Sequence, residues 1–284
     1  AEHAAETSGQ RPAVRCWDRG SSGGEQEDAG ERRADAALVD ALHELAARYA
    51  KAGWRLAMVA RRVGEIEAWA RSHGLGPESC LAYAADVKDV HGLVAAARRC
   101  IEQQGLPDAV IASAGISVGM DTAVREDLDV MADTFAINNV GMAATFHPFV
   151  EAMRMRGSGT LVGIASVSAI RGLPGHGAYC ASKAGVVAYC ESLRGECRGS
   201  GVRVVTLLPG WVVTPLTAGN TYRMPFMLDA DDFAERAFRA IEAGASYRVI
   251  PWQMGVVAKL LRLLPDALFD RLMAGRGRKK RRGE

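Results

Sequence analysis

The residues in this chain best suited to chemistry are Tyr179 and Lys183, four residues apart. That spacing places the phenol and the ammonium on one face of a helix, within reach of each other. A neighbouring ammonium favours the phenolate, so the pairing predicts a tyrosine pKa lowered from about 10 toward the working pH. A tyrosine tuned in this way can donate a proton to a carbonyl oxygen while hydride reaches the carbon.

Ser166, thirteen residues before Tyr179, adds a hydroxyl at the end of the apolar run 159–166. The run is predicted to be a buried strand. A hydroxyl at this strand end could hold a substrate carbonyl beside the tyrosine, or it could simply belong to a turn. Ser168 is the nearest competitor for the same role.

The elements that must position these residues alternate between strand and helix. Strands are predicted at 55–60, 79–84, 109–113, 159–166, 202–208 and 247–251. Helices are predicted at 64–73, 90–104, 127–156, 181–193 and 231–244, and Pro148 is expected to kink the third or to begin a new turn in it. Such alternation predicts an α/β fold, a doubly wound parallel sheet (Rossmann-like) with ligands at the carboxyl ends of its strands.

Three stretches together resemble the short-chain dehydrogenase/reductase family, classical type. They are Ile164-Ala-Ser-Val-Ser, Tyr179-Cys-Ala-Ser-Lys-Ala-Gly and Pro209-Gly-Trp-Val-Val-Thr, and the likeness extends over about residues 41–251. The resemblance implies hydride transfer between a nicotinamide cofactor and a carbonyl/hydroxyl pair. It implies that Tyr179 is the acid or base, that Lys183 tunes it and holds the nicotinamide ribose, and that Ser166 rather than Ser168 binds the carbonyl oxygen.

The same resemblance assigns a role to Asn138. The segment Ile137-Asn-Asn-Val-Gly141 is similar to the family's N-x-x-G helix segment, whose asparagine organises a water that relays protons to the lysine. Asn139 is the alternative if the register differs by one. Asparagine is disfavoured inside helices, so its presence there suggests a specific hydrogen-bonding task.

Cofactor preference is indicated by Arg61 and Arg62, which directly follow the strand 55–60. An acidic residue there would bind a ribose 2′-hydroxyl, whereas an arginine would accept a 2′-phosphate, so NADP(H) is expected over NAD(H). The alternative is two solvated arginines at a helix start. Further cofactor contacts are implied by the resemblance at Asp86, Val87, Ala114, Gly115, Pro209, Gly210, Val212 and Thr214. Ser113 stands where the family commonly has an asparagine.

The front of the chain departs from the family. The glycine-rich phosphate turn T-G-x-x-x-G-x-G is expected at 35–42, which contains no glycine. Such a turn needs glycines because backbone N–H groups must approach the pyrophosphate closely. The remaining candidate is the glycine-rich stretch 18–24, behind a weak strand at 13–17.

Three explanations of this departure stay open: a shifted reading frame, a divergent protein that has lost its cofactor, or an inserted leader with a displaced glycine turn. Residues 1–37 have little apolar periodicity and are expected to be disordered or weakly helical. The chain is therefore divided into an atypical leader (1–37), a single Rossmann-like domain (38–251) and a helical C-terminal extension (252–284). The alternative function is a catalytically silent family member or scaffold.

Composition excludes several other classes. A chain of 284 residues that is 49% hydrophobic can build a full core. Its net charge of only +2 does not indicate a nucleic-acid-binding protein, so no nucleic-acid partner is expected. Six cysteines without a C-x-x-C pair are typical of reduced thiols, and a cytoplasmic location is expected. No cluster has metal-ligand spacing, so no metal is expected.

The C-terminal extension carries an apolar stripe over 252–273, followed by a basic tail at 276–282. Such a stripe could cover the protein's own substrate cleft, meet a partner subunit in a homodimer, or lie on a membrane surface. The apolar segment 216–228, which contains Tyr222, Met224, Phe226 and Met227, predicts a hydrophobic carbonyl or alcohol substrate.

Overall fold

The computed structural model describes residues 12–16, 41–212, 226–275 and 278–283. The described strands are β1 Pro12–Cys16, β2 Arg55–Ala60, β3 Cys80–Ala84, β4 Ala109–Ala112, β5 Gly159–Ile164, β6 Val202–Pro209 and β7 Tyr247–Ile250. They form one sheet in the order β3-β2-β1-β4-β5-β6-β7, and every neighbouring pair is parallel. The predicted α/β class and doubly wound parallel sheet are confirmed.

The described helices are α1 (residues 41–51), α2 Val63–Ser72, α3 Val90–Gln104, α4 Asp127–Phe135, α5 Met142–Arg156, α6 Gly177–Glu196, α7 Ala230–Glu242, α8 Trp252–Leu263 and α9 Asp266–Met273. A π-helical turn at Ala136–Gly141 joins α4 to α5, and a 3-10 turn at Val167–Ala169 follows β5. Helix α3 has its predicted bounds because Asp89 caps its first turn, accepting from the Gly92 amide at 3.0 Å. Gly105, with φ +85°, ends it.

Both faces of the sheet are covered by helices. Along β4, Val110 and Ala112 belong to one core cluster and Ile111 to the other. The first cluster includes residues of α3, α5 and α6, such as Phe146, and the second includes residues of α1, α2 and α7, such as Phe233. A strand that is buried on both faces has an uninterrupted run of apolar residues in its sequence. Such runs made these strands predictable.

Strand β1 requires a correction to the expected domain boundary. Pro12–Cys16 lies at the centre of the sheet, where Ala13 pairs with Leu56 of β2 and with Ala109 of β4. The boundary expected at residue 38 therefore moves toward the amino terminus to include this strand. A short strand held by two neighbouring ladders needs little apolar periodicity of its own. The glycine-rich stretch 18–24 lies outside the described residues.

The helical pattern over 127–156 is interrupted at a different place from that expected. Pro148 lies inside α5, and the break is the π-helical turn Ala136–Gly141. Gly141 permits a close approach there, since a Cβ at this position would lie 3.0 Å from the Val87 carbonyl oxygen. The turn thus packs against the loop after β3. Single π-turns of this kind occur frequently at functional sites.

The C-terminal extension forms two helices that pack on the domain through Met254, Ala258, Phe269 and Met273, all buried. Arg171 holds their junction: its guanidinium donates to the carbonyl oxygens of Leu261, Arg262 and Leu264. Within the described residues, no helix is both long and apolar enough to cross a bilayer.

Candidate active site

The predicted catalytic residues meet at the carboxyl ends of β4 and β5. The strand order reverses between β1 and β4, which is where an open parallel sheet forms a ligand crevice. Asn138, Ser166, Tyr179 and Lys183 come from the π-helical turn, the end of β5 and the first turns of α6. The sheet thus gathers side chains that are as many as 45 residues apart in sequence.

Lys183 is almost completely buried, with 1% of its surface exposed. Its Nζ donates to the Ile164 carbonyl oxygen at 2.9 Å and lies 5.9 Å from the centroid of the Tyr179 ring. Burial lowers the pKa of Lys183 from 10.5 to about 8, because the charged form loses hydration. An ammonium has three N–H donors, so two remain for other acceptors beside this carbonyl.

Asn138 is also buried, and it clamps the chain just after β4. Its Oδ1 accepts from the Ile116 amide at 2.8 Å, and its Nδ2 donates to the Ile116 carbonyl oxygen at 3.1 Å. The neighbouring Asn139 instead donates to the Ser182 carbonyl oxygen at 2.9 Å. Of the two asparagines that sequence left as alternatives, Asn138 is the one that faces the end of β4.

Ser182 links Asn138 to the tyrosine. The Asn138 Nδ2 donates to Ser182 Oγ at 2.9 Å, and Ser182 Oγ donates to the Tyr179 carbonyl oxygen at 2.9 Å. Gly115 closes the cluster, because a Cβ there would lie 3.1 Å from both Asn138 Oδ1 and Lys183 Nζ. The Gly115 backbone therefore lies close against two polar groups, where a side chain would be crowded. Sequence reasoning missed Ser182, whose only signal was its place inside the Tyr-x-x-x-Lys segment.

Ser166 stands two residues beyond the end of β5 and begins the 3-10 turn. Its Oγ accepts from the Ser168 amide at 3.2 Å, and 7% of its surface is exposed. Ser168 contributes its backbone amide to this cap. The Ser166 hydroxyl keeps its own hydrogen for donation to another acceptor.

The residues expected on the adenosine side follow β2 and β3. Arg61 is half-buried directly after β2, whereas Arg62 is exposed at the N-cap of α2, with its Nε 3.3 Å from Glu65 of that helix. Asp86 Oδ1 accepts from the Lys88 amide at 2.8 Å, and Val87 is buried under the π-helical turn. All four residues lie at the carboxyl edge of the sheet.

The residues expected on the nicotinamide side follow β4 and β6. Ala114 and Gly115 are half-buried after β4, and Pro209 ends β6. The Gly210 amide donates to the Ile250 carbonyl oxygen at 2.8 Å, and Val212 forms an isolated bridge with Leu228. Thr214 lies outside the described residues, as do Tyr222 and Met224 of the expected substrate segment.

Of that segment only residues 226–228 are described, and the loop before Tyr179 is described as well. Phe226 and Met227 are exposed, with 49% and 39% of their surfaces accessible. Before Tyr179, Met120 contacts the start of α6: its amide donates to the Gly175 carbonyl oxygen at 3.1 Å. The Ala178 amide in turn donates to the Met120 sulfur at 3.1 Å.

Metal ligation finds no support in the part of the chain that the structure describes, since no group of three His, Cys, Asp or Glu residues could hold an ion. Five buried cysteines form no disulfide: Cys80, Cys100, Cys180, Cys190 and Cys197. Burial raises the pKa of Cys190 to about 11, which keeps this thiol protonated and unreactive.

Comparison with known proteins agrees with the geometry. A family model described as short chain dehydrogenase matches residues 43–224. An uncharacterised oxidoreductase of Myxococcus xanthus is 34% identical over 229 residues, covering 80% of this chain and 89% of the relative. An uncharacterised oxidoreductase of Mycobacterium tuberculosis is 32% identical over 231 residues, covering 80% and 90%.

Among solved structures, NAD+-bound xylitol dehydrogenase superposes with a TM-score of 0.66 at 17% identity, covering 84% of this chain and 95% of that one. At that identity the likeness shows the shared fold alone. The family model and the two relatives carry the assignment, and the chain belongs to the short-chain dehydrogenase/reductase family of oxidoreductases.

Proposed function

We propose that this protein is an NADP(H)-dependent oxidoreductase that interconverts a carbonyl and a hydroxyl group on a hydrophobic substrate. The observation that carries the proposal is the buried Lys183 ammonium, 5.9 Å from the Tyr179 ring on the same helix. Burying an ammonium is costly, and this one has a single carbonyl partner among the described residues. A role in chemistry accounts for that cost better than a role in packing.

The residues at the ends of β4 and β5 fit the nicotinamide end of the cofactor. Gly115 lacks a Cβ that would crowd Asn138 and Lys183, and two Lys183 N–H groups remain to bind ribose hydroxyls. When bound there, the cofactor would supply or accept hydride. Pro209, Gly210, Val212 and Thr214 would hold its carboxamide.

The pyrophosphate would be held near the end of β1. The glycine-rich stretch 18–24 begins two residues after Cys16, where β1 ends at the carboxyl edge. Among the three explanations of the atypical amino-terminal segment, this adjacency favours an inserted leader with a displaced glycine turn. Asp86 and Val87 would contact the adenine.

Proton transfer would be carried by the chain's own residues. Tyr179 would donate its phenolic proton to the substrate oxygen as hydride reaches the carbon, and the Ser166 hydroxyl would donate a hydrogen bond to that oxygen. Lys183 would stabilise the resulting phenolate and pass a proton to it. Asn138 would hold the water that reconnects Lys183 with solvent.

The preference for NADP(H) rests on Arg61. It directly follows β2, where a guanidinium would meet the adenosine 2′-phosphate. Arg62 follows it at the N-cap of α2, with its Nε 3.3 Å from Glu65, and would be a second contact for that phosphate. A cytoplasmic location is consistent with the buried free thiols.

Cofactor titration combined with one matched pair of variants tests the proposal. We expect fluorescence titration to give a lower Kd for NADPH than for NADH. Tyr179→Phe should lower kcat for carbonyl reduction at least about 100-fold while NADPH still binds. Tyr189→Phe, on the exposed face of the same helix, is the control and should retain activity.

The silent scaffold is the competing function, and the same measurements separate the two. Absence of binding by either cofactor would favour the scaffold and the loss of the phosphate turn. Undiminished turnover in Tyr179→Phe would instead overturn the catalytic assignment while leaving cofactor binding intact.

A second candidate function is contact with an anionic membrane surface through α8 and α9. Exposed apolar side chains lie along the two helices: Trp252, Val256, Leu260, Leu263, Leu268 and Leu272. Lys259, Arg262 and Arg271 are exposed on the same helices and would meet lipid headgroups. Flotation with phosphatidylserine vesicles tests this, with loss of binding expected in Leu260→Ser/Leu263→Ser. A homodimer through this surface would instead appear as a doubled mass in light scattering.

A further inference from the structure

The C-terminal strap, residues 278–283, runs along the segment 116–121 that follows β4. The Gly119 amide donates to the Lys280 carbonyl oxygen at 3.0 Å, and Gly119 forms a parallel bridge with Arg281. The Lys279 ammonium donates to the Ser117 carbonyl oxygen. The basic tail is thus folded against the carboxyl edge of the sheet, where the candidate active site lies.

The strap's arginines are bound to aspartates of the domain. The pairs are Arg278 with Asp121 at 3.0 Å, Arg281 with Asp127 at 2.7 Å and Arg282 with Asp133 at 3.3 Å. Asp127 is 3% exposed and also accepts from the Asp121 amide at 2.6 Å. Hydrogen bonding from Arg281 lowers the pKa of Asp127 below its usual value. These guanidinium groups are therefore paired with carboxylates of the domain, which leaves them less suited to lipid or nucleic acid.

The other side of the segment 116–121 contacts the candidate catalytic residues. Ile116 holds both polar atoms of the Asn138 amide, and Met120 contacts the amide of Ala178, one residue before Tyr179. Arg278 also packs near the loop before α6, since a Cβ on Gly175 would lie 3.1 Å from the Arg278 Cβ. The segment therefore has the strap on one side and the Asn138 and Tyr179 supports on the other.

We infer that the C-terminal strap is a positioning element of the proposed reductase site: it fixes the segment 116–121 and, through it, the placement of Asn138 and Tyr179. This inference rests on the proposed function. Catalysis is sensitive to small displacements of reacting groups, so a looser segment costs turnover even when the fold is kept. The strap's own cations need not touch substrate for this role.

Two unrelated changes at the contact test the role. A Cβ at Gly119 would collide with the carbonyl oxygens of Lys279 and Lys280, so Gly119→Ala displaces the strap without altering charge. Arg281→Gln removes the ion pair with Asp127 without altering the segment. Arg248→Gln, an exposed arginine on the edge strand β7, is the matched charge control.

We expect both variants to lower kcat by about tenfold or more, with the substrate KM changed less than about threefold and the NADPH Kd within about twofold. Hydrogen exchange at residues 116–121 should be faster in both variants than in the wild type. The Arg248→Gln protein should match the wild type in kcat, KM, NADPH Kd and the rate of hydrogen exchange at residues 116–121.

Unchanged kcat in both variants, with faster exchange at 116–121, would overturn the positioning role. Failure of the proposed function is distinguishable, since the wild type would then reduce no carbonyl. In that case hydrogen exchange alone tests whether the strap holds the segment 116–121. A Gly119 amide protected from exchange in the wild type would support this contact, and an unprotected amide would overturn it.

Discussion

Lys183 Nζ donates to the Ile164 carbonyl oxygen at 2.9 Å, which ties helix α6 to the last residue of β5. Ser166 lies two residues beyond this anchor, and Tyr179 lies one helical turn before Lys183. A single buried hydrogen bond therefore fixes the distance between the two hydroxyl-bearing residues proposed to share one substrate oxygen. The ammonium is thus both a structural tie and a charge beside the tyrosine.

The lowered pKa of Lys183 predicts a pH-dependent contribution to stability. The folded pKa of about 8 lies below the value of 10.5 for a solvated lysine, so between these values the unfolded chain binds more protons. The unfolding free energy contributed by Lys183 therefore rises with pH in that window. Relative to Lys183→Met, we expect the wild type to gain on the order of 2 kcal/mol between about pH 7.5 and about pH 10.

Chemical denaturation of the cofactor-free proteins at several pH values measures this difference. Lys259→Met removes an exposed ammonium from α8 and serves as the control. A wild-type-to-Lys183→Met difference that stays constant over this pH range would contradict the lowered pKa.

Asn138 predicts a distinction between two adjacent asparagines. Asn138→Ala leaves the buried Ile116 amide and carbonyl without their Asn138 partners. We therefore expect the unfolding free energy to fall by about 2–3 kcal/mol, and turnover to fall strongly as well. Asn139→Ala removes one hydrogen bond, but it also removes an Oδ1 that is buried without a partner among the described residues. We therefore expect the unfolding free energy to fall by only about 1 kcal/mol. Urea denaturation compares the two, and equal losses would contradict the assignment to Asn138.

Much of the sheet could be predicted because its strands are buried on both faces. Arg55–Ala60 and Val90–Gln104 were predicted with the bounds that the structure shows, since apolar runs and capping residues mark such elements locally. The pairing of Tyr179 with Lys183 was equally local, because one helical turn brings the two residues together. Short-range patterns thus predicted both the scaffold and the candidate catalytic pair.

Contacts between distant segments could not be predicted in this way. Arg171 meets Leu264 and Asp266 more than 90 residues away, and Gly119 meets the strap across an even longer span. No periodicity or motif marks either partner. The weak strand Pro12–Cys16 was likewise undervalued because its stability comes from two neighbouring ladders.

Arg61 predicts a specific effect on cofactor choice. Arg61→Ser removes the guanidinium proposed to bind the 2′-phosphate, so we expect the NADPH Kd to rise about tenfold or more while the NADH Kd stays within about twofold. Arg71→Ser, which removes an exposed arginine from the last turn of α2, is the matched control. Equal weakening of both cofactors by Arg61→Ser would contradict a role in 2′-phosphate binding.

Arg171 predicts that the C-terminal helices depend on one side chain. Its guanidinium binds three carbonyl oxygens at the α8–α9 junction, pairs with Asp266 at 2.9 Å and stacks 3.9 Å from the centroid of the Phe269 ring. A lysine presents a single charged point and cannot reproduce this geometry. We expect Arg171→Lys to lower the unfolding free energy by about 2 kcal/mol, since hydrogen bonds from a charged donor to three carbonyls, two of them part-buried, are lost.

Limited proteolysis locates that loss. Cleavage within 252–273 should become faster in Arg171→Lys than in the wild type, because the two helices are released before the sheet unfolds. Arg262→Lys changes an exposed arginine on α8 itself and should leave the cleavage rate unchanged. Equal protection of the helices in Arg171→Lys and the wild type would mean that Met254, Ala258 and Phe269 hold the extension through apolar burial alone.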